Sequence, residues 1–301
     1  MEEVKPRSIV LPVIIAVIIT ALVSGAIVYF WQQNVCLKKD SESTSKSTST
    51  SDQSTTSDSS TDNSTITDDD IITTPQGVRM DISDKADRPL YLIKEVFVKT
   101  EYNLHITKES VLIDIGMNRA AASLLFAANK NIERVYSYEP FSPTFDKAKK
   151  NLGLNPELSE KIIPHNCGLG KADTVLKLPY VANATGGMST THDVVKGARS
   201  VSEETVVIKD SAKEIGSIIA DNKDRHIIIK CDCEGAEFEI FERLSEEGLF
   251  GQIDVVLMEY HFQEPDRLLR ILTEHGFVAQ TKTGSRKSKT GYIYSVRMAP
   301  R

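Results

Sequence analysis

The sequence predicts an α/β fold built on a mainly parallel, doubly wound sheet, and three observations predict it. From about Gly77 to Arg301, short apolar runs alternate with amphipathic segments, the pattern of strands and helices taken in turn. The first run, Val111-Leu-Ile-Asp-Ile-Gly-Met-Asn118, ends in Asp-x-Gly just ahead of a helical segment. The second, Arg134-Val-Tyr-Ser-Tyr-Glu139, ends in a carboxylate about twenty residues on, where nucleotide-binding α/β folds place an acceptor for ribose hydroxyls.

The elements follow in order from composition. Residues 1–7 form a short tail carrying Lys5 and Arg7. From Ser8 to Trp31 no residue is charged, and the stretch reaches the roughly twenty residues that cross a bilayer, so residues 8–31 are expected to form a transmembrane helix. The aromatic end Tyr29-Phe30-Trp31 suits an interfacial anchor, and the lipid bilayer becomes a partner of the chain. Residues 32–76 are rich in Ser, Thr and Asp and have too little apolar surface to offset the entropy of ordering, which predicts a disordered linker. The globular domain is expected over residues 77–301.

Within that domain, strands are predicted from Val111, over Arg134–Glu139, Ile162–Cys167, Val206–Lys209, His226–Cys231, Asp254–Tyr260, Phe277–Lys282 and Ile293–Arg297. Helices are predicted over Ala120–Asn129, Pro143–Leu152, Ser211–Ala220, Ala236–Glu247 and Asp266–His275, the last stopped by Gly276. The basic stretch Lys282–Lys289 is expected to be a solvated hairpin between the last two strands. In a doubly wound sheet, ligands lie at the carboxyl ends of strands. The tips Asp114, Glu139, Cys167-Gly168, Asp232 and Glu259 are therefore expected to share one crevice.

Composition removes some function classes. The formal charge of −6 over 301 residues gives no global basic field, so no nucleic-acid partner is expected. Cys231 and Cys233 flank Asp232, but no second pair or nearby His completes a zinc set, which leaves buried free thiols. A nicotinamide site would require Gly-x-Gly-x-x-Gly after the first strand, and Asp114-Ile-Gly stands there instead.

Several blocks in fixed order carry a family likeness: Asp114-Ile-Gly-Met-Asn118, Tyr138-Glu-Pro-Phe141, Leu154-Asn155, Lys230-Cys-Asp-Cys-Glu-Gly-Ala-Glu237, Met258-Glu-Tyr-His261 and Gly276-Phe277. From about Val111 to Phe277 the chain resembles FkbM-type S-adenosylmethionine-dependent methyltransferases. The resemblance implies a Rossmann-like methyltransferase fold and S-adenosyl-L-methionine as methyl donor. It also implies an oxygen acceptor, a hydroxyl on a small molecule or glycan such as a lipid-linked sugar. Asp114, Gly116, Asn118 and Glu139, with Cys167-Gly168 at the next strand end, fall at cofactor positions. Asp232, Glu234 and His261 fall at strand ends facing the acceptor, as the catalytic candidates. One departure stands out: Ala120 replaces the second Gly of Asp-x-Gly-x-Asn-x-Gly, and its methyl would crowd the methionine end if the backbone there came close or needed positive φ.

Methyl transfer to a hydroxyl needs alignment, exclusion of water and a base for the acceptor proton. His261 and Asp232 are the plausible bases; a strand-end His can equally cap local backbone groups. Asp232, Glu234 and Glu259 could together bind a divalent ion, or Glu234 could cap the helix that follows. The capping alternative is carried forward, so no metal is assigned. Gly186-Gly-Met-Ser-Thr190 is either a ligand-closing loop or an ordinary turn. The donor is cytosolic, which places a single-pass protein's domain in the cytoplasm, although Lys38 and Lys39 balance Lys5 and Arg7 across the span. The alternative to an enzyme is a decayed methyltransferase scaffold serving as a surface or binding protein.

Overall fold

The computed structural model describes residues 65–66, 70–99, 101–196, 198, 200–285, 287 and 289–298. All of them fall in the unit Thr61–Arg301. The expected transmembrane helix over residues 8–31 lies outside the described residues, as does most of the expected linker. Among the described residues, no helix is long and apolar enough to cross a membrane.

Structure begins earlier than the expected boundary at Gly77. Strands β1 (Thr65–Ile66), β2 (Ile71–Thr73) and β3 (Arg79–Asp81) form a small antiparallel sheet. Ile71 and Ile72 give this end of the stretch apolar residues to bury, and Ile72 is buried. Helix α1 (Pro89–Ile93) runs on into one π turn over Lys94–Val98.

The core is the alternation that follows: β4 (Ser110–Ile115), α2 (Ala121–Ala127), β5 (Ile132–Tyr138), α3 (Ser142–Leu154), α4 (Pro156–Ser159) and β6 (Ile162–His165). After β7 (Gly168–Gly170), β8 (Thr174–Tyr180) and β9 (Ser202–Asp210), it resumes with α5 (Ser211–Asp221), β10 (His226–Cys231), α6 (Glu237–Glu246), β11 (Val255–Tyr260), α7 (Asp266–Glu274), β12 (Phe277–Ser285) and β13 (Thr290–Arg297). The main sheet has seven strands in the order β12-β13-β11-β10-β4-β5-β6. The five from β11 to β6 are parallel, and β13 runs antiparallel between β11 and β12.

Strand period explains the two-sided core. In β4 and β10, Val111, Ile113, Ile115, Ile227, Ile229 and Cys231 face a cluster closed by α5, α6 and α7. Leu112 and Ile228 face the other side, against α2, α3 and the α1 segment. Each of these side chains is 2% exposed or less, so each contributes about 1.5–3 kcal/mol of burial.

One predicted strand lands elsewhere. Val206–Lys209 belongs to β9, which joins β7 and β8 in a separate three-stranded sheet. Over Thr205–Asp210 its buried residues alternate with more exposed ones, so it presents only one apolar face and cannot serve as an interior strand of a sheet covered on both sides. The segment from residue 181 to 196 that links β8 toward β9 crosses the carboxyl end of the main sheet.

Asp87 fixes that segment. Its carboxylate accepts from Arg119 Nη2 at 2.8 Å, Lys147 Nζ at 2.9 Å, the Thr185 amide at 2.9 Å and the Thr185 hydroxyl at 2.7 Å. Burial alone would raise its pKa, but the hydrogen bonds from Lys147, Thr185 and Arg119 outweigh it and hold the carboxyl below its ordinary value. Arg119 and Asp87 side chains are 2% and 1% exposed, so removing one partner strands a buried charge. Asp87→Ala is expected to lower unfolding stability by about 3 kcal/mol, read as a reduced urea midpoint.

Candidate functional site

Asp114 and Lys230 are register partners on adjacent parallel strands, β4 and β10, and both side chains are essentially inaccessible. Lys230 Nζ stands 3.1 Å from Asp114 Oδ1 and donates to the Gly116 carbonyl at 2.7 Å. Burial disfavours the ammonium, yet the neighbouring Asp114 and Asp232 charges outweigh it and raise its pKa. Ser123 on α2 donates to Asp114 Oδ2 at 2.5 Å. Asp114 thus holds Lys230 and the strand end, and its side chain does not line the crevice above.

That crevice opens where β4 ends. Gly116 has φ +86°, and a Cβ there would collide with the Asp232 carbonyl oxygen, so both the turn and the close backbone approach require glycine. The Gly116 and Met117 amides donate to the Tyr138 carbonyl, and the Asn118 amide donates to Glu139 Oε2 at 3.0 Å. Glu139 Oε1 accepts from the Phe141 amide at 3.1 Å. Burial pushes the Glu139 carboxyl up to about 7 against the pull of those two amides and of Lys230, with Asp114 adding to the rise.

Gly116, Asn118, Glu139, Gly168, Asp232 and Glu234 all line this crevice, which encloses about 570 Å³ of atom-free space including its mouth. Thr185, Gly186, Met188 and Thr190 form its far wall, so the glycine loop does close over it. Ser189 Oγ ties that loop to the Glu234 carbonyl at 2.5 Å. Cys167 does not take part in the lining: it is 8% exposed, packs in the core, and burial pushes its thiol up to about 11. β6 ends at His165, two residues short of the predicted end, which leaves the wall to Gly168 and Leu169.

A second chamber adjoins the first and shares Gly116, Asn118 and Asp232 with it. Its walls include Glu95, Glu101, Tyr102, Lys230, Glu259 and Tyr292. Tyr102 donates to Asp232 Oδ2 at 3.0 Å, and burial followed by the nearby Asp232 and Glu259 charges raises its pKa well above the ordinary value. Lys230 could have been found from sequence, since one cation inside Ile227-Ile-Ile-Lys-Cys231 demands a buried partner. Tyr102 and Tyr292 carry no local signal; long-range folding brings them here.

Asp232, Glu234 and His261 come together, but not by strand alternation. β10 ends at Cys231, and the turn that follows places Glu234 at φ +55° and Gly235 at φ +108°. The expected cap by Glu234 is absent: α6 has no side-chain cap, and it is Glu237 Oε2 that accepts from the Gly235 amide at 2.8 Å. His261, 4% exposed, also meets Glu237, its backbone amide donating to Glu237 Oε1 at 2.6 Å. Burial pushes the His261 imidazole down, but the Glu237 contact and the Glu234 and Asp232 charges raise it to about 10. Burial raises the Glu234 and Glu259 carboxyls to about 8 each.

Ala120 adopts φ +66°, the left-handed conformation that glycine takes without strain. Its methyl is fully buried in the core cluster and is absent from both chamber walls, so it does not crowd them. Asn118 and Glu234, which line the crevice, are further non-glycine residues at positive φ, a concentration of strain found at functional sites.

A parallel sheet with a carboxylate at the end of its second strand and a glycine turn after its first is the arrangement of Rossmann-like folds, methyltransferases among them. The chain belongs to the FkbM methyltransferase family, whose Methyltransferase FkbM domain matches residues 114–279, more than half its length. It is 24% identical over 184 residues to Methyltransferase 1 of Beauveria bassiana, covering 56% of this chain and 72% of that protein. It is 25% identical over 183 residues to Methyltransferase sdnD of Sordaria araneosa, covering 52% and 69%. Methyltransferase FkbM from Methylobacillus flagellatus aligns with TM-score 0.39 and 15% identity over 64% of this chain and 45% of that one, a likeness too loose to add to the assignment.

The Rossmann-like fold of S-adenosylmethionine-dependent methyltransferases is thus present, and its donor fits these residues. Asn118 Oδ1 is buried at the crevice without a hydrogen-bond partner, and Glu139 keeps further acceptor capacity on both oxygens. Lys230→Met is expected to cost about 3–5 kcal/mol by leaving Asp114 buried and unpaired, read in chemical denaturation.

Proposed function

We propose that the chain transfers a methyl group from S-adenosylmethionine to a hydroxyl oxygen of a polyhydroxylated acceptor, on a glycan, a lipid-linked sugar or a related metabolite. The observation that carries this reading is the pair of adjoining chambers that meet at Gly116, Asn118 and Asp232. One has the carboxylate and glycine turn suited to a nucleoside; the other has the tyrosines and carboxylates that bind hydroxyl-rich molecules. The donor supplies a methyl carbon already made electrophilic by its sulfonium.

The chain's residues then have separate tasks. Glu139 accepts the ribose hydroxyls. Asn118 and the Gly116 turn receive the amino-acid end, held in place from below by Asp114 and Lys230. Asp232 is the general base, because it alone of the three catalytic candidates borders both chambers. Glu234 closes the donor side. His261 borders neither chamber and acts by fixing the carboxylates around it. The loop from Thr185 to Thr190 excludes water from the meeting point.

The Ala120 methyl, one of the two features behind the decayed-scaffold alternative, points into the core and leaves both chambers open. The stretch over residues 8–31 would tether this domain to a membrane with its crevices in the cytoplasm, beside the donor. Protection of residues 40–75 from protease added to intact cells tests that arrangement, and cleavage there overturns it.

Label from methyl-tritiated S-adenosylmethionine is expected in an extracted carbohydrate or lipid. Asp232→Asn should reduce turnover at least about a hundredfold, within the range general-base loss gives, while donor affinity stays within a few-fold. Binding of S-adenosylhomocysteine should weaken as pH falls through about 7, where buried Glu139 takes up its proton and loses acceptor capacity. Glu139→Gln should bind more weakly and lose that pH dependence in calorimetry.

A further inference from the structure

Three carboxylates and one imidazole converge beside the point where the chambers meet. His261 Nε2 lies 3.6 Å from Glu234 Oε1, 3.8 Å from Glu259 Oε1 and 3.9 Å from Asp232 Oδ1. At these distances Nε2 hydrogen-bonds to none of them, although His261 is 4% exposed and the ring edge is aimed into the group. We propose that Asp232, Glu234, Glu259 and His261 form a binding site for one divalent cation of the magnesium or manganese type.

The spacing suits coordination better than direct pairing. Metal–ligand bonds of about 2.1 Å put neighbouring donor atoms roughly 3.0 Å apart in an octahedron and about 3.4 Å apart in a tetrahedron. The donor atoms of Asp232, Glu234 and His261 lie within 4.8 Å of one another, so a cation would draw them inward by small side-chain rotations. Three hard carboxylate oxygens suit magnesium or manganese, and the one imidazole favours manganese of the two.

What stands behind the imidazole points the same way. Glu237 Oε1 is 3.4 Å from His261 Nδ1, and the Glu237 side chain is wholly buried. Nδ1 makes no hydrogen bond, but the carboxylate beside it favours the proton on that nitrogen, which leaves Nε2 as the ligand atom, as a carboxylate behind a metal-bound histidine does. Glu237 is itself held by the Gly235 and His261 amides, so the carboxylate behind the imidazole is fixed in place. Glu234 has no cap to serve and is held at φ +55°, which leaves its carboxylate for this cluster.

The site would also be open where openness is useful. Asp232 and Glu234 line the donor chamber, while Asp232 and Glu259 line the other, so coordination positions not filled by protein face both. Asp232 Oδ1 turns toward the cluster and Oδ2 toward Tyr102. On the reading of the second chamber as acceptor site, adjacent hydroxyls of a sugar would fill the open positions and lose a proton more readily there. The cation site itself does not depend on that reading.

The test uses the full chain, stripped with EDTA, titrated with Mn²⁺ alone while free Mn²⁺ is read by electron paramagnetic resonance. S-Adenosylhomocysteine binding is measured separately by calorimetry. One saturable Mn²⁺ per chain is expected, weakened at least about tenfold in His261→Ala, Glu259→Gln and Glu237→Gln. Absence of saturable Mn²⁺ binding by wild-type protein that still binds S-adenosylhomocysteine overturns the cation site and leaves the methyltransferase reading intact. Saturable Mn²⁺ without S-adenosylhomocysteine binding does the reverse. Unaltered Mn²⁺ affinity in a His261→Ala variant with a wild-type melting transition also overturns the site, and should that variant fail to fold, the wild-type titration decides.

Discussion

The structure turns on one ion pair in the middle of its sheet. Asp114 and Lys230 meet across β4 and β10 on the face that carries Leu112 and Ile228, with almost no water in reach. Two charges in such a place are stable only if each is answered, and each is: Lys230 by Asp114 and the Gly116 carbonyl, Asp114 by Lys230 and Ser123. The pair therefore locks strand ends that apolar side chains alone would leave free to slide. It sets where Gly116 turns, and the turn sets where both chambers lie.

From that point charge increases outward. Glu139, Asp232, Glu234, Glu259, Glu95 and Glu101 line the two chambers, with Lys230 in the wall of the second. Burial is the first cause that raises Glu139, Glu234 and Glu259, and neighbouring carboxylates add to the rise at each. Such a site favours positively charged occupants. A sulfonium with an ammonium group satisfies it on one side, and a divalent cation would satisfy it on the other.

Much of this was legible in the sequence because strand burial is periodic and strand tips are polar. Runs of apolar residues ending in a carboxylate or glycine brought Gly116, Glu139 and Asp232 to the crevice; Asp114 lies beneath it, and Glu259 lines the adjoining chamber instead. Cys167 was misplaced because β6 stops early and a thiol packs as an apolar group. β9 looked like an interior strand because Val206-Val-Ile208 is short and apolar, and only its one-sided burial reveals a separate sheet. Asp87, Tyr102 and Tyr292 reach the site through contacts far apart in sequence, which no local pattern encodes. The positive φ of Ala120 was foreseen as a condition; the direction of its methyl, into the core, needed coordinates.

The order β12-β13-β11 has a consequence for synthesis. β13 is made after β12 yet lies inside it, so β11 keeps an unpaired backbone edge until Arg297 has left the ribosome. Until then the parallel strands are assembled but one row of amides and carbonyls faces water, or a chaperone. Truncation before β13 would leave that row exposed for good, and such chains should be removed by quality control or aggregate rather than persist as soluble protein.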